Sequence, residues 1–522
     1  MSLRDKVIKN TFYHFIAQAF GFLSPFILTP LIISHIGQTE FGIYAIVLGF
    51  IGTFGLLDFS FSASFIKFIS EHYNRKQYDE LNRTINTGLF FYIFFTAAIC
   101  IVVVIFARQV LGLINIPPEL FELAEFSLYI SLIIFFIATS STIFVSVLIS
   151  VQKMYLNSII GLAINITNFA VTYILLVSGF GLKGILYAQL GAVIISVFFN
   201  IYLAFKEVPE IRIRFSFLNK ATFRSMGSFG LQMQVSRFSS FLSEKYDEFL
   251  LGYFSSLGNV TFFNLANRVT RLGKFFPLQL FQQVAPVAAE LNANKDEHRL
   301  NELFYEATKY LTVFSAPIFL FIFIFAELLI TTWLGAGYEM TIYLLRILAI
   351  GQLVNLLVSA PGNSIIPNLG VPKYLMYEGI ISLAVNLVLS FVLIKYYGIV
   401  GAAIGTTAAT LIASTYIYIT SAGYFKENPL KFLFRSYFKP LLIALTLCII
   451  VYSVYYFALP VISLPTGRLS GIILIIFTSG LFFTSYIFIL WKSGYLNERD
   501  KDNMNKLIKL INPMRKKEYN EN

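Results

Sequence analysis

Residues 261–287, TFFNLANRVTRLGKFFPLQLFQQVAPV, are apolar enough to cross a bilayer yet hold three cations, Arg268, Arg271 and Lys274. Their spacing of i, i+3 and i+6 gathers them within about a third of a helix's circumference. Asn264, Asn267, Gln279 and Gln282 fall on or beside that stripe, while Phe262, Val269, Leu272 and Phe276 lie away from it. A charge at bilayer depth costs roughly 2.5–3.5 kcal/mol even on the lenient insertion scale. Three cations on one face are tolerable where that face looks into water. Arginine offers a planar fork of donors to phosphate or carboxylate oxygens, and lysine a point charge. The stretch is therefore expected to wall a cationic aqueous cavity inside a membrane, and an anionic ligand is the simplest reason for such a wall.

Other titratable residues inside apolar runs are fewer. The preceding run carries Arg237, Ser240, Glu244, Asp247 and Glu248 along one helical face, with Lys245 set off from it. Arg237, near mid-depth, joins the candidate ligand-binding cations. Glu244 and Asp247 read either as a gate or coupling-ion site near the outer mouth or as structural partners, with Lys245 pairing Glu248 or Asp247 pairing Arg268. Asp58 is the only acid well inside the first half of the chain and reads equally as a coupling or a structural carboxylate. Arg346 lies a turn or two inside the outer end of its run and either lines the cavity or snorkels. No catalytic constellation is found. Gly179–Gly184 matches G-x-G-x-x-G but lacks the preceding strand of a dinucleotide site, so it reads as a tight turn. Asp500 and Asp502 form a D-x-D in a charged tail with no domain around it, and no sugar-nucleotide chemistry is assigned there. Cys100 and Cys448 sit in apolar runs, which indicates neither a disulfide framework nor a metal site. No cofactor is expected beyond proton or Na+ coupling.

The elements that must position these groups follow from composition. The chain is 522 residues, 57% hydrophobic and only 13% charged, with a mean hydropathy of +0.73. An ordinary soluble domain is about a quarter charged, so this is an all-α polytopic membrane protein. Its net charge of +11 does not indicate nucleic acid, because the basic residues lie mostly in short loops between apolar runs. Fourteen spans are expected, near 8–34, 41–66, 87–107, 124–150, 157–178, 184–205, 226–253, 260–288, 308–330, 341–366, 374–396, 399–424, 438–459 and 468–491, each near the roughly 20 residues a bilayer needs. The fourth and tenth are the poorest, being rich in Ser, Thr, Asn and Gly. With this threading about 29 of the 39 Lys and Arg fall on one side and 4 on the other, which puts both termini in the cytoplasm.

The chain also repeats. A shift of 219 places Glu71, Leu81 and Asn82 on Glu290, Leu300 and Asn301; a shift of 218 places Gly161 and Asn168 on Gly379 and Asn386; a shift of 217 places Gly181 and Gly184 on Gly398 and Gly401. Each unit holds six spans, an even number, so the two enter the membrane the same way and are related by an axis along its normal, with a ligand site expected between them. The expected organisation is a six-helix bundle over 1–215, a second over 216–430, two further helices over 431–492 and a cytoplasmic tail over 493–522. Arg268, Arg271 and Lys274 fall on Gly49, Gly52 and Gly55, so one unit supplies charge where the other supplies small residues.

Gly37–Glu71, with its G-x-x-x-F-G-I-Y opening at Gly37–Tyr44 and Leu56-Leu-Asp-Phe59 leading to Phe68–Glu71, resembles the polysaccharide-transporter family. These are the Wzx-type flippases within the multidrug/oligosaccharidyl-lipid/polysaccharide (MOP) exporter superfamily. Tyr246–Phe254, Phe263–Ala266 and Ala285–Glu290 extend the resemblance, which covers roughly Val7–Phe425. It implies a V-shaped, MATE-like pair of bundles that alternate access. It implies as cargo an undecaprenyl-diphosphate-linked oligosaccharide moved from the cytoplasmic to the outer leaflet of a bacterial inner membrane for surface polysaccharide such as O-antigen. Polymerase and glycosyltransferases are implied as partners, and proton or Na+ gradients as the drive. Two alternatives share the scaffold, a flippase of lipid II-type peptidoglycan precursors and a small-molecule exporter. The three cations of the eighth span count against export of cationic drugs. A membrane polymerase or glycosyltransferase is disfavoured because no outer loop exceeds about 20 residues, against 50 or more for a soluble domain.

Overall fold

Gly181 and Gly398 sit 217 residues apart, and both adopt φ +56° at the tip of a helical turn. Three residues on, the chain is again the same: a Cβ on Gly184 would lie 3.0 Å from Leu175 Cβ, and one on Gly401 only 2.1 Å from the Leu393 carbonyl oxygen. Gly405 lies against Ser390, where an added Cβ would meet the backbone at 3.0 Å. Residues 390 and 405 touch because the helices on either side of Gly398 fold back on each other, and Gly401 and Gly405 let them close. Two further turns repeat in the same way. Lys76 and Lys295 have φ of 56° and 55°, and Gln152 and Gly370 have φ of 61° and 84°. The backbone bonds Arg75 N–Glu71 O and Asn294 N–Glu290 O, and Gln77 N–His72 O and Asp296 N–Leu291 O, match one for one at the offset of 219. The internal repeat is thus present in the backbone, as the spacing of glycines and acids predicts.

The computed structural model describes residues 3–55, 59–218, 242, 245–281, 284–371, 373–458, 467–496 and 500. Among the described residues every element is a helix. Ten helical stretches are long and apolar enough to cross a membrane. The stretch from Ile16 to Gly49 breaks at Gly37 and carries the first expected span and the start of the second; Lys373–Tyr424 turns at Gly398 and carries the eleventh and twelfth. The Leu257–Phe281 helix is not among the ten, because Arg268, Arg271 and Lys274 interrupt its apolar run. The seventh expected span lies mostly outside the described residues. The fourth and tenth are each interrupted partway: one helix stops at Ser140 and the next starts at Thr142, while Asn355–Ser359 widens into a π turn. Ser141 and Ser359 are again 218 apart. The Ser141 hydroxyl donates to Ala138 O at 2.8 Å, a side-chain bond that competes with the helix ladder, while Ser359 Oγ accepts from Asn363 Nδ2 at 2.9 Å.

Packing divides the chain into two compact units, Met1–Leu272 with Pro372–Ala413, and Gly273–Val371 with Ser414–Asn522. The first has a core of Phe65, Ile69, Leu81, Ile85, Tyr92, Ile143 and Val147 with Ala204 and Ile211. Over that core an asparagine pair holds down the segment after the Gly181–Glu207 helix. Asn82 Nδ2 donates to Glu210 O (2.9 Å) while Asn82 Oδ1 accepts from Arg212 N (2.6 Å). Asn86 repeats the pattern with Arg212 O (2.7 Å) and Arg214 N (2.8 Å). One helical turn, about 5.4 Å, nearly matches two residues of extended chain, about 6.6 Å, so side chains at i and i+4 can read every second peptide.

The second unit has its own core, built from Val313, Phe321, Phe325, Cys448, Phe482 and Tyr486. Its Glu297–Ile324 helix starts on an Asp296 cap whose Oδ1 accepts from Arg299 N at 3.1 Å. The chain after the last span returns to this unit. Asp500 is only 4% exposed; it pairs with Lys309 Nζ at 2.6 Å and accepts from Tyr310 Oη at 2.7 Å. Lys309 also lies over the Tyr495 ring, 5.3 Å from its centroid, and burial pushes the Tyr495 phenol well above its usual range. The charged tail is thus not wholly solvated: one of its carboxylates is the buried partner of a lysine on the ninth span.

Candidate functional site

The site around Arg268 lies within the first unit. The Leu257–Phe281 helix is drawn close to the chain that follows the Gly37 break. A Cβ on Gly42 would stand 2.4 Å from Leu257 O, and Thr261 Oγ1 donates to Gln38 O at 2.6 Å. The helix of residues 245–254 ends beside it and is tied by Asn115, whose Nδ2 donates to the carbonyls of Tyr253 (2.8 Å) and Ser255 (3.0 Å) and whose backbone N–H reaches Gly252 O (2.9 Å). One asparagine from a distant loop thus satisfies three carbonyls at or just beyond that helix's end, which would otherwise lack partners. These contacts fix the frame in which Arg268, about 16 Å along its helix from Leu257, is presented.

Arg268 is half-buried, and its partners are neutral. Nε donates to Asn264 Oδ1 at 3.0 Å, and Nη1 to Thr29 Oγ1 at 2.7 Å with Pro25 O at 3.5 Å. One face of the guanidinium covers the Phe41 ring, 5.1 Å from its centroid. A guanidinium has five N–H donors in a fixed plane. Here Nε and Nη1 are committed, and among the described residues Nη2 makes no hydrogen bond. The planar group is therefore anchored at two of its three nitrogens, from opposite sides, which leaves Nη2 for a ligand. Arg271 and Lys274 follow at one and two turns, both half-buried, and each engages other groups of the chain. Lys274 counts with the second unit, whose boundary falls at Gly273. Arg346, also half-buried, lies on Glu339–Val354 in that second unit. Asp58, Arg237 and Glu244 lie outside the described residues.

The two adjacent acids of the 245–254 helix take different partners. Glu248, 1% exposed, pairs with Lys245 Nζ at 2.9 Å through both oxygens, and Oε1 also accepts from Asn264 Nδ2 at 3.0 Å. The Lys245–Glu248 pair weighed from the sequence is formed, and Gly49 makes room for it: a Cβ there would be 3.2 Å from the lysine chain. Asp247 does not pair with Arg268. Fully buried, it faces the hairpin of Lys373–Tyr424, where Oδ2 accepts from Asn386 Nδ2 (3.3 Å) and from the Thr406 hydroxyl, and the Ser390 hydroxyl adjoins the same Asn386 Nδ2 at 3.2 Å. Its Oδ1 and the Oδ1 of Asn386 are buried without a hydrogen-bond partner among the described residues. Buried oxygens of this kind are costly unless something binds them. An oxygen-only set of one carboxylate, one amide and two hydroxyls suits a hard cation or a proton. The sequence points to Asp247, but Asn386, Ser390 and Thr406 are 139 to 159 residues away from it, and no local pattern marks them. Asn386 alone carried a signal, as the repeat partner of Asn168.

Comparisons with known proteins agree on the fold and the family. Residues 7–292, more than half of the chain, match the family described as polysaccharide biosynthesis protein, and residues 233–392 match MatE. An O-antigen transporter of Shigella flexneri is 21% identical over 416 residues, covering 78% of this chain and 95% of that one. A low-salt glycan biosynthesis flippase of Haloferax volcanii is 21% identical over 393 residues, 75% of this chain and 78% of that one. Among solved structures, lipid II flippase MurJ in an inward closed conformation aligns with a TM-score of 0.69 at 15% identity, over 93% of this chain and 99% of its own. An inward-facing multidrug resistance MATE transporter of the MOP superfamily also scores 0.69, at 14% identity over 81% and 98%. Identities this low speak to the fold alone, and the fold is that of MurJ and MATE transporters. With its multi-pass helical fold and a match spanning more than half its length, this chain belongs to the polysaccharide biosynthesis protein family.

Proposed function

We propose that this protein is a flippase that moves a lipid-linked oligosaccharide repeat unit, carried on undecaprenyl diphosphate, from the cytoplasmic to the outer leaflet for surface polysaccharide biosynthesis. The observation that carries the reading is Arg268: a guanidinium held by neutral oxygens and an aromatic face, with no hydrogen bond at Nη2 among the described residues. Had the arginine been a structural cation, a carboxylate would be its natural partner. Neutral anchors keep its charge for a ligand, and a diphosphate is the anionic part of such a cargo. Arg271 and Lys274 extend the cationic stripe, and Arg237 and Arg346 are assigned to the same cargo.

The transport cycle is alternating access between the repeats 1–215 and 216–430, with 431–492 as two additional helices and 493–522 as a cytoplasmic tail. The matched turns at residues 76 and 295, 152 and 370, and 181 and 398 support two similar halves. Asp247 is the coupling group, taking a proton or Na+ among Asn386, Ser390 and Thr406; Asp58 and Glu244 are further candidates for coupling or gating. Transport needs no covalent step, so no catalytic residue is assigned. The skew of Lys and Arg between loops supports placement in the cytoplasmic membrane with both termini inside. Polymerase and glycosyltransferases would act beside it. The test is reconstitution with a fluorescent lipid-diphosphate oligosaccharide, a lipid II analogue and a cationic dye in parallel. Flux of the first that is lost on removing the diphosphate supports the reading; flux of the dye alone refutes it, and preference for lipid II moves the assignment to peptidoglycan precursors.

A further inference from the structure

We propose that Glu248 and Asn264 are positioning residues that aim Arg268 at an anion, through a carboxylate–amide–guanidinium relay. A carboxylate can only accept hydrogen bonds and a guanidinium can only donate them, whereas a primary amide has one end of each kind. Asn264 lies between the two: Nδ2 donates to Glu248 Oε1 at 3.0 Å, and Oδ1 accepts from Arg268 Nε at 3.0 Å. Only one amide orientation satisfies both neighbours, so Glu248 sets the direction of Asn264, and Asn264 holds the Nε edge of Arg268. Thr29 holds Nη1 from the other side at 2.7 Å, its own hydroxyl hydrogen being directed to Pro25 O at 2.5 Å. The remaining donors of the guanidinium are thereby held in a fixed plane. An anion then binds without first ordering a flexible side chain.

The charges favour the same reading. Lys245 Nζ lies 2.9 Å from both Glu248 oxygens, which cancels that carboxylate locally. The neutral amide keeps Glu248 from pairing directly with Arg268. The arginine therefore gains orientation from an acid without giving up its charge to it. A direct Glu–Arg pair would occupy the very fork a phosphate needs.

This relay rests on the anion-binding role of Arg268 proposed above, and a double-mutant cycle separates the two. The probe is farnesyl diphosphate, with farnesol as the uncharged control, titrated in detergent against the full-length protein and Asn264→Ala, Arg268→Gln and the double variant. Gel filtration and thermal unfolding check that each variant is folded. Asn264→Ala is expected to weaken farnesyl diphosphate binding about tenfold and leave farnesol unchanged, while the double variant binds no more weakly than Arg268→Gln alone. If Asn264→Ala binds like the parent, or its loss adds fully to that of Arg268→Gln, the relay is overturned while the anion site stands. If Arg268→Gln binds farnesyl diphosphate as the parent does, the anion site itself falls, and the relay with it. Should Asn264→Ala not fold, Thr29→Val removes the second anchor and is read in the same cycle. Non-additivity with Arg268 is the result a merely structural residue would not give.

Discussion

Replacing Arg268 by lysine keeps the charge and removes the fork, and the structure indicates what that costs. Arginine places Nε on Asn264 at 3.0 Å and Nη1 on Thr29 at 2.7 Å, and in the proposed site it keeps Nη2 for the ligand. A lysine ammonium is a single centre with three donors and cannot reach oxygens placed on opposite edges of a guanidinium plane. Either it stays with Asn264 and Thr29 and loses the anion, or it turns to the anion and leaves both oxygens without a donor. A hydrogen bond to a charged group contributes about 1.5–3 kcal/mol, or roughly 10- to 150-fold in affinity. Because the charge survives, Arg268→Lys is expected at the low end, with half-saturating cargo raised about tenfold, and Arg268→Ala toward the high end. The assay is flux of a fluorescent lipid diphosphate in proteoliposomes across a range of cargo concentration and salt. Equal half-saturation for Arg268→Lys and the parent at every salt concentration would refute the fork geometry and leave Arg268 as a point charge; parental flux in Arg268→Ala would remove it from the site altogether.

Three further expectations concern other parts of the chain. Asp247→Asn should leave cargo binding intact and abolish the dependence of flux on a proton or Na+ gradient; unchanged gradient dependence would make the pocket structural. Asp500→Asn should lower thermal stability by about 3 kcal/mol or more, because it strips a buried lysine of its partner, whereas removing both charges with Lys309→Met and Asp500→Leu should recover most of the loss. Stability equal to the parent in the single variant would show that the tail does not dock. Asn82→Ala with Asn86→Ala removes four hydrogen bonds from residues 210–214 and should speed tryptic cleavage after Arg212 and Arg214 severalfold, and unchanged cleavage would show that the asparagines do not hold that segment.

What the sequence determines here is what depends on local chemistry and on repetition. Apolar runs long enough for a bilayer give the class, because no other environment hides so little charge in so many residues. Glycines and acids at a constant offset gave the repeat, and the backbone follows it because each sits at a turn with its own conformational demand. The stripe of Arg268, Arg271 and Lys274 is a property of one helix and could be read from spacing alone. Partnership could not. Asp247 and Glu248 are neighbours in sequence, yet one faces Asn386 and Thr406 and the other faces Lys245 and Asn264, since successive residues on a helix point about 100° apart and the tertiary packing decides what each direction meets. The orientation of Asn264, the neutral anchors of Arg268 and the burial of Asp500 all involve groups brought together from distant positions. Hydrogen bonds between such groups leave no periodic trace in the chain, and only the folded structure specifies them.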